Sequence, residues 1–529
     1  MRRLWYNGKI MAMDQEMHQY EALGAEDGRI VFLGMDSEAL AQRWDEAKDL
    51  GGALMLPGFM DTHIHMLYYG QKRRNVDLFG ASSVDEVVER CRAFINDRHP
   101  NGLLGWGWNQ EVMAEGRFLT RQDVDRISTE IPIMLRRTCG HIAACNTNML
   151  ELLLALEDLD EQTQGLIDAE HGILREEAAM LEQRVMPPVS EAEVRQIILD
   201  TQREMNAAGL TCIHSHDLGA IPGVDNFDLI RLFRAMAANG ELTVRVYEQS
   251  MVDQVDFPRL AAARDSYDDH NSLFRIGPRK IVGDGSLGAK SAAVIDGYVD
   301  EPDNHGIPLY TDEEMYQSVK AAHSARMNVA VHAIGDLTFR QVCDAVERCQ
   351  KEDPWPQARH GVIHAQITSP ELLRRMKDLN IQAYVQPIFI DADMELIEER
   401  VGEAHAQDCY NWKTMLDMGI HVSGGTDCPV EPFDVLDNIR AAVTRKNRIG
   451  TKTYLPDQAL TVEQAVRLVT GYAAWASYDE DWLGSLEPGK LADLVVLDTD
   501  LFQADPDDFT KATVLETVLN GKTVYRADW

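Results

Sequence analysis

Short apolar runs of strand character alternate with helical patterns through most of this chain, and that alternation constrains the fold more than any other feature. One run ends at His63-Ile64-His65. Seven more follow at 211–216, 243–247, 279–284, 328–332, 361–364, 381–385 and 420–424. Helical patterns lie between them, as at 312–327. Ser369-Pro370 reads as a cap with proline in the first turn, and Thr461-Val462-Glu463-Gln464 as a capping box. Strand–helix alternation of this kind makes a parallel sheet, and eight units close a barrel. The expected class is therefore α/β, a (β/α)8 TIM barrel.

The two ends of the chain read differently. Asn7-Gly8, Asp27-Gly28 and Asn520-Gly521 are hairpin-type turns between β-prone runs. Neither end has enough strands for a stable sheet, so the two are expected to pair in one small β-sandwich. The predicted division is residues 1–55 and 481–529 for the sandwich and 56–480 for the barrel. An inserted subdomain after the first barrel strand, at about 75–205, accommodates the surplus strand-like run at 131–138. A chain of 529 residues suits a barrel of roughly 250 residues with such additions.

Composition excludes several classes of function. A net charge of −35 lacks the basic footprint that nucleic acid or an anionic membrane needs. No apolar stretch approaches the roughly 20 residues of a membrane span. Eight scattered cysteines with no Cys-x-x-Cys pair read as reduced thiols, and the amino terminus lacks the apolar core of a signal peptide. A cytoplasmic protein acting on a small-molecule substrate is expected, with a homodimer an open option.

Side chains on a strand alternate, so His63 and His65 point to one side. Two imidazoles converging at a strand end make half of a transition-metal site. In a parallel barrel the site forms at the carboxyl ends of the strands. There the sequence also offers Lys280, His332, His364 and, in Gly424-Gly425-Thr426-Asp427, Asp427.

These residues resemble a known family. Pro57-Gly58-Phe59-Met60-Asp61-Thr62-His63-Ile64-His65, Lys280-Ile281-Val282-Gly283-Asp284-Gly285-Ser286-Leu287-Gly288, Val331-His332-Ala333-Ile334-Gly335-Asp336, His364-Ala365-Gln366 and Thr426-Asp427-Cys428-Pro429-Val430 are similar to motifs of the amidohydrolase superfamily. The similarity is to its family 3 branch, which includes N-substituted formamide deformylase, and it extends over nearly the whole chain. Gly484-Ser485-Leu486-Glu487-Pro488-Gly489-Lys490-Leu491-Ala492-Asp493-Leu494 matches the carboxyl-terminal signature. The resemblance implies a barrel with a sandwich built from both termini. It implies zinc or another divalent transition metal, one or two per chain, bound by His63, His65, His332, His364 and Asp427. It also puts Lys280 where relatives carry a lysine that bridges two metals once carboxylated. A carbamate is an oxygen ligand, whereas an ammonium repels a cation. This sequence departs from relatives in the extra histidine of Thr211-Cys212-Ile213-His214-Ser215-His216 and in Cys428, a spectator thiol or a competing soft ligand.

A divalent ion makes hydroxide available at neutral pH. Asp427 is expected to orient that water, take its proton and pass it to a leaving nitrogen. His141, His214 and His216 are candidate donors to the oxyanion, and Trp106 and Trp108 candidate walls of the substrate pocket. The leading expectation is hydrolysis of a carbon–nitrogen bond in an amide, N-acyl, N-formyl or cyclic amide substrate. A deaminase or other hydrolase using the same ligands, and a catalytically silent metal-binding protein, are the two alternatives.

Overall fold

The computed structural model describes residues 1–264 and 272–528. Its centre is an eight-stranded, all-parallel, nearly closed barrel: β1 (Phe59–Ile64), β2 (Leu210–Ser215), β3 (Arg245–Ser250), β4 (Phe274–Val282), β5 (Val329–Ala333), β6 (Gly361–His364), β7 (Gln382–Val385) and β8 (Val422–Gly424). Each strand pairs with the next in the chain, as the alternation predicts. Strands covered on both faces read as continuous apolar runs, and Val329, Ala330 and Val331 of β5 are fully buried. The outer helices are amphipathic. That of Asp336–Glu352 buries Phe339, Val342, Cys343, Val346 and Cys349 at spacings of three and four.

Both expected caps form: Ser369 accepts from Leu372 N, and Thr461 and Gln464 complete a reciprocal capping box. Two strands differ from expectation. β3 runs on to Ser250 rather than stopping at residue 247, and β4 starts at Phe274, five residues before 279. Gly277-Pro278, a pair common in turns, is mid-strand here. A Cβ at Gly277 would lie 2.8 Å from the Tyr247 ring and 3.0 Å from Glu248 O, so the glycine permits a close strand approach. Lys280 is thus an interior residue of β4 rather than its start.

At the carboxyl end, backbone bonds complete the ring between β8 and β1. Asp427 N donates to His63 O (2.8 Å) and His65 N to Cys428 O (2.8 Å). The chain ends form two further sheets. Strands Arg2–Tyr6, Ala22–Glu26, Arg29–Gly34 and Glu46–Asp49 make one. The other interleaves the termini: Leu54–Pro57 pairs antiparallel with Leu494–Leu497, which pairs with Val514–Leu519. Trp5, Leu23, Ile30, Met55, Leu494 and Val518 belong to a single apolar core.

Residues 68–197, with 221–224, form a separate compact unit. Its six-stranded sheet includes Leu103–Trp108, Ile133–Arg137 and Ile142–Cys145. Alternation along Ile133–Arg137 serves both faces. Ile133 and Leu135 pack with the helix Val84–Arg98, and Met134 with the helix Thr147–Leu154. Among the described residues no helix is long and apolar enough to cross a membrane.

Candidate metal centre at the carboxyl end of the barrel

Alternation and strand register bring His63, His65, Lys280, His332, His364 and Asp427 to one place. Asp427 Oδ1 lies 3.2 Å from His63 Nε2 and 2.9 Å from His65 Nε2. Lys280 Nζ is 3.2 Å from His63 Nε2. His332 Nδ1 and His364 Nε2 are 3.0 Å apart, and the rings of His63 and His364 have centroids 5.7 Å apart.

The partners behind the rings assign the imidazole protons, because carbonyl oxygens only accept. His63 Nδ1 lies 2.6 Å from Gln249 Oε1, and Gln249 Nε2 donates to Thr62 O, which fixes the amide's orientation. His364 Nδ1 lies 2.8 Å from Gln386 Oε1, and Gln386 Nε2 donates to Tyr384 O. His65 Nδ1 donates to His216 O (3.3 Å), and His332 Nε2 to Gly285 O (3.0 Å). Each ring therefore has its N–H turned outward and its other nitrogen turned inward as a lone pair. His332 and His364 face each other at 3.0 Å lone pair to lone pair, and His63 and His65 face a carboxylate oxygen the same way. Such an array is repulsive in itself and complementary to a cation. Among the described residues, the ligand atoms of His63, His65 and Asp427 all lie within 4.8 Å of one another.

Electrostatics agree with neutral rings. Burial, aided by Lys280, pushes His63 down to about 3 and His332 to about 4, and burial with His332 alongside puts His364 well below the usual range. Burial also lowers Lys280 to about 7.

The loop carrying Asp427 is stitched down by Asp61. That buried carboxylate accepts from His63 N, Thr426 N and Thr426 Oγ1 (3.1, 3.1 and 2.6 Å). A Cβ at Gly425 would meet His63 N at 2.5 Å and Asp61 Oδ1 at 2.7 Å. Gly425→Ala is therefore expected to cost about 1–3 kcal/mol through forced backbone displacement, read as a lower melting temperature. An unchanged melting temperature would show that the loop gives way freely.

His216 joins the cluster, its ring centroid 5.0 Å from that of His65. His214, two residues earlier on the same inward side, is fully buried one layer deeper, its ring centroid 5.0 Å from Tyr247 and 6.4 Å from Tyr384. His141, Trp106 and Trp108 belong to the 68–197 unit. His141 is exposed and pairs with Glu176, and Trp106 is partly exposed beneath Arg136. Trp108 is fully buried in that unit's apolar core with its indole N–H on Leu135 O, the packing position of an ordinary core tryptophan. Cys428 is buried and contributes its carbonyl to His65 N.

Sequence reasoning passed over Asp61, Gln249, Gln386 and Phe389, whose ring stacks on His364 (5.8 Å, 18°). The HxH motif draws attention to Asp61, two residues upstream on the same strand face. The glutamines carry no motif.

The model of a family described as amidohydrolase family matches residues 46–525. The chain is 31% identical to the Bacillus subtilis (strain 168) protein YtcJ, named as a candidate amidohydrolase, over 99% of both chains. It is 25% identical to N-substituted formamide deformylase of Arthrobacter pascens, over 98% of this chain and 97% of that one. An uncharacterized metal-dependent hydrolase from Pyrococcus furiosus superposes with a TM-score of 0.78 at 27% identity, over 95% of this chain and 100% of its own.

Proposed function

The chain belongs to the amidohydrolase family, and from that premise we propose that it is a metal-dependent hydrolase of a non-peptide carbon–nitrogen bond in a small molecule. An amide of the N-acyl, N-formyl or cyclic type is the substrate class. One observation carries the reading: four neutral imidazoles with their protons tied outward turn their lone pairs, with the Asp427 carboxylate, onto one region of the barrel mouth. Nitrogen and carboxylate donors in that number suit zinc or a similar divalent ion. The residues that would hold it are His63, His65, His332, His364 and Asp427. Lys280 would join as an oxygen ligand if carboxylated, in an arrangement with two ions.

When bound, a divalent ion supplies Lewis acidity that acidifies water toward neutrality and polarises a carbonyl. The remaining work belongs to the chain. Asp427, against His65 Nε2, accepts the proton of the attacking water and delivers it to the leaving nitrogen. His216, whose ring lies beside that of His65, would be the side-chain donor to the developing oxyanion. Phe389 over the His364 ring gives the substrate an apolar wall. Lys280 cannot stay an ammonium there. At 4 Å and an effective dielectric near 20, two unit charges repel by about 4 kcal/mol, and a divalent ion roughly doubles that.

Protein purified without chelator is expected to contain at least one equivalent of divalent transition metal by elemental analysis. It is also expected to hydrolyse members of a panel of formamides, N-acyl amines and cyclic amides. Metal below about a tenth of an equivalent would overturn the reading, given how tightly such donor sets hold zinc. Turnover of aminopurines in place of amides would replace the substrate class with deamination.

A further inference from the structure

We propose that Gln249 and Gln386 are positioning residues that keep the inward nitrogens of His63 and His364 free of protons, and so available to a metal. The inference deepens the metal-hydrolase reading and rests on it.

A neutral imidazole carries one N–H, and the ring has two places for it. For His63 the inward place is attractive, since Nε2–H would donate to Asp427 Oδ1 at 3.2 Å. For His364 it is equally attractive, since Nε2–H would donate to His332 Nδ1 at 3.0 Å. Either choice satisfies buried acceptors and removes the lone pair that a metal needs. What opposes it is an acceptor on the outer side of each ring: Gln249 Oε1 at 2.6 Å from His63 Nδ1, and Gln386 Oε1 at 2.8 Å from His364 Nδ1. Both glutamines are buried, and each amide is held the right way round by its own N–H bond, to Thr62 O and Tyr384 O. A flipped amide would set N–H against N–H.

The other two rings need no such help from a side chain. His65 and His332 donate outward to the backbone carbonyls of His216 and Gly285, acceptors that no substitution deletes. The two side-chain clamps thus sit on one histidine of each pair, His63 beside Asp427 and His364 beside His332. A glutamine does this without adding charge, whereas the commoner carboxylate partner also raises the basicity of the ligand.

The test titrates metal-free protein with Co(II), read by its visible absorption, and with Zn(II) against a chromophoric chelator. Gln249→Met and Gln386→Met keep length and burial but delete the acceptor. Each is expected to weaken binding of both ions by about 10–100-fold, the usual effect of losing an outer partner of a ligating histidine. Gln249→Glu and Gln386→Glu restore the acceptor and are expected to bind as tightly as wild type or tighter. A role in folding alone would lower the melting temperature of the metal-free variants without this split between Met and Glu. If a Met variant does not fold, the Glu variant decides, because a tenfold loss there overturns the proposal. Wild-type affinity in both Met variants overturns this proposal alone. Wild-type protein that takes up neither ion overturns the metal reading and this proposal together.

Discussion

Asp427→Asn is expected to lower kcat by about 10²–10⁴-fold, the range general acid–base groups contribute, while the fold persists. The substitution is unusually clean. Asp427 has φ of 57°, in the left-handed region, which asparagine tolerates better than any other side chain of its size. The backbone bonds that close the barrel, Asp427 N to His63 O and His65 N to Cys428 O, do not involve the carboxylate. An amide cannot take a proton from water, and it is also a weaker ligand than the carboxylate it replaces, so kcat is compared on variant protein loaded with metal. His63→Ala serves as the contrast, because it removes a ligand and is expected to lose metal and activity together. Metal content and kcat measured on both variants separate base from ligand. Wild-type kcat in Asp427→Asn would remove Asp427 from the mechanism.

The fold class was legible because its signal is repeated. Eight strand-like runs alternating with helices leave few options, and an error of a few residues in any one run does not alter the count. Where individual strands were misread, a local rule had been overridden by packing. β4 begins five residues before Arg279 and carries Gly277-Pro278, a pair common in turns, where the neighbouring strand passes too close for a side chain at 277. The inward histidines, Lys280 and Asp427 were legible only jointly, from their ordering at the ends of successive strands, since any one of them alone reads more simply as a core or capping residue. Gln249 lies beyond the expected end of β3, and Gln386 precedes a proline just past β7. A glutamine there reads as a strand terminus, and its value depends on which atom it turns toward a partner 186 residues away in the chain. Periodicity gives the side of a strand and says nothing of amide orientation. The fate of Trp108 was hidden for a related reason. Strict alternation would put Trp106 and Trp108 on one face, but the strand's register shifts between them at Gly107 (φ 113°), leaving Trp106 exposed and Trp108 in the core.

The largest expected effect on stability lies away from the site, at Asp493 of the carboxyl-terminal signature. Arg245 opens β3 and is almost wholly buried. Its Nε donates to Asp493 Oδ2 at 2.7 Å and its Nη2 to Asp493 Oδ1 at 3.3 Å. Asn520 N donates to the same carboxylate at 2.7 Å, so one acidic side chain ties a barrel strand to both arms of the terminal sheet. Desolvating two charges is expensive, and their pairing largely offsets that cost, so the pair as a whole adds little net stability. Removing one member is another matter. Asp493→Ala leaves a buried guanidinium with Asn520 Oδ1 but no counter-charge, and the part-buried Asn520 N–H without its acceptor, at an expected cost of about 3–5 kcal/mol. Asp493→Asn keeps an acceptor oxygen and is expected to cost less. The double variant Arg245→Met with Asp493→Leu removes both charges and is expected to recover most of the loss, as buried ion pairs replaced by apolar groups commonly do. Melting temperatures of the three variants at one protein concentration check the ordering. A single Ala variant as stable as wild type would mean that water reaches Arg245, and that the signature aspartate is kept for something other than joining the ends of the chain to the barrel.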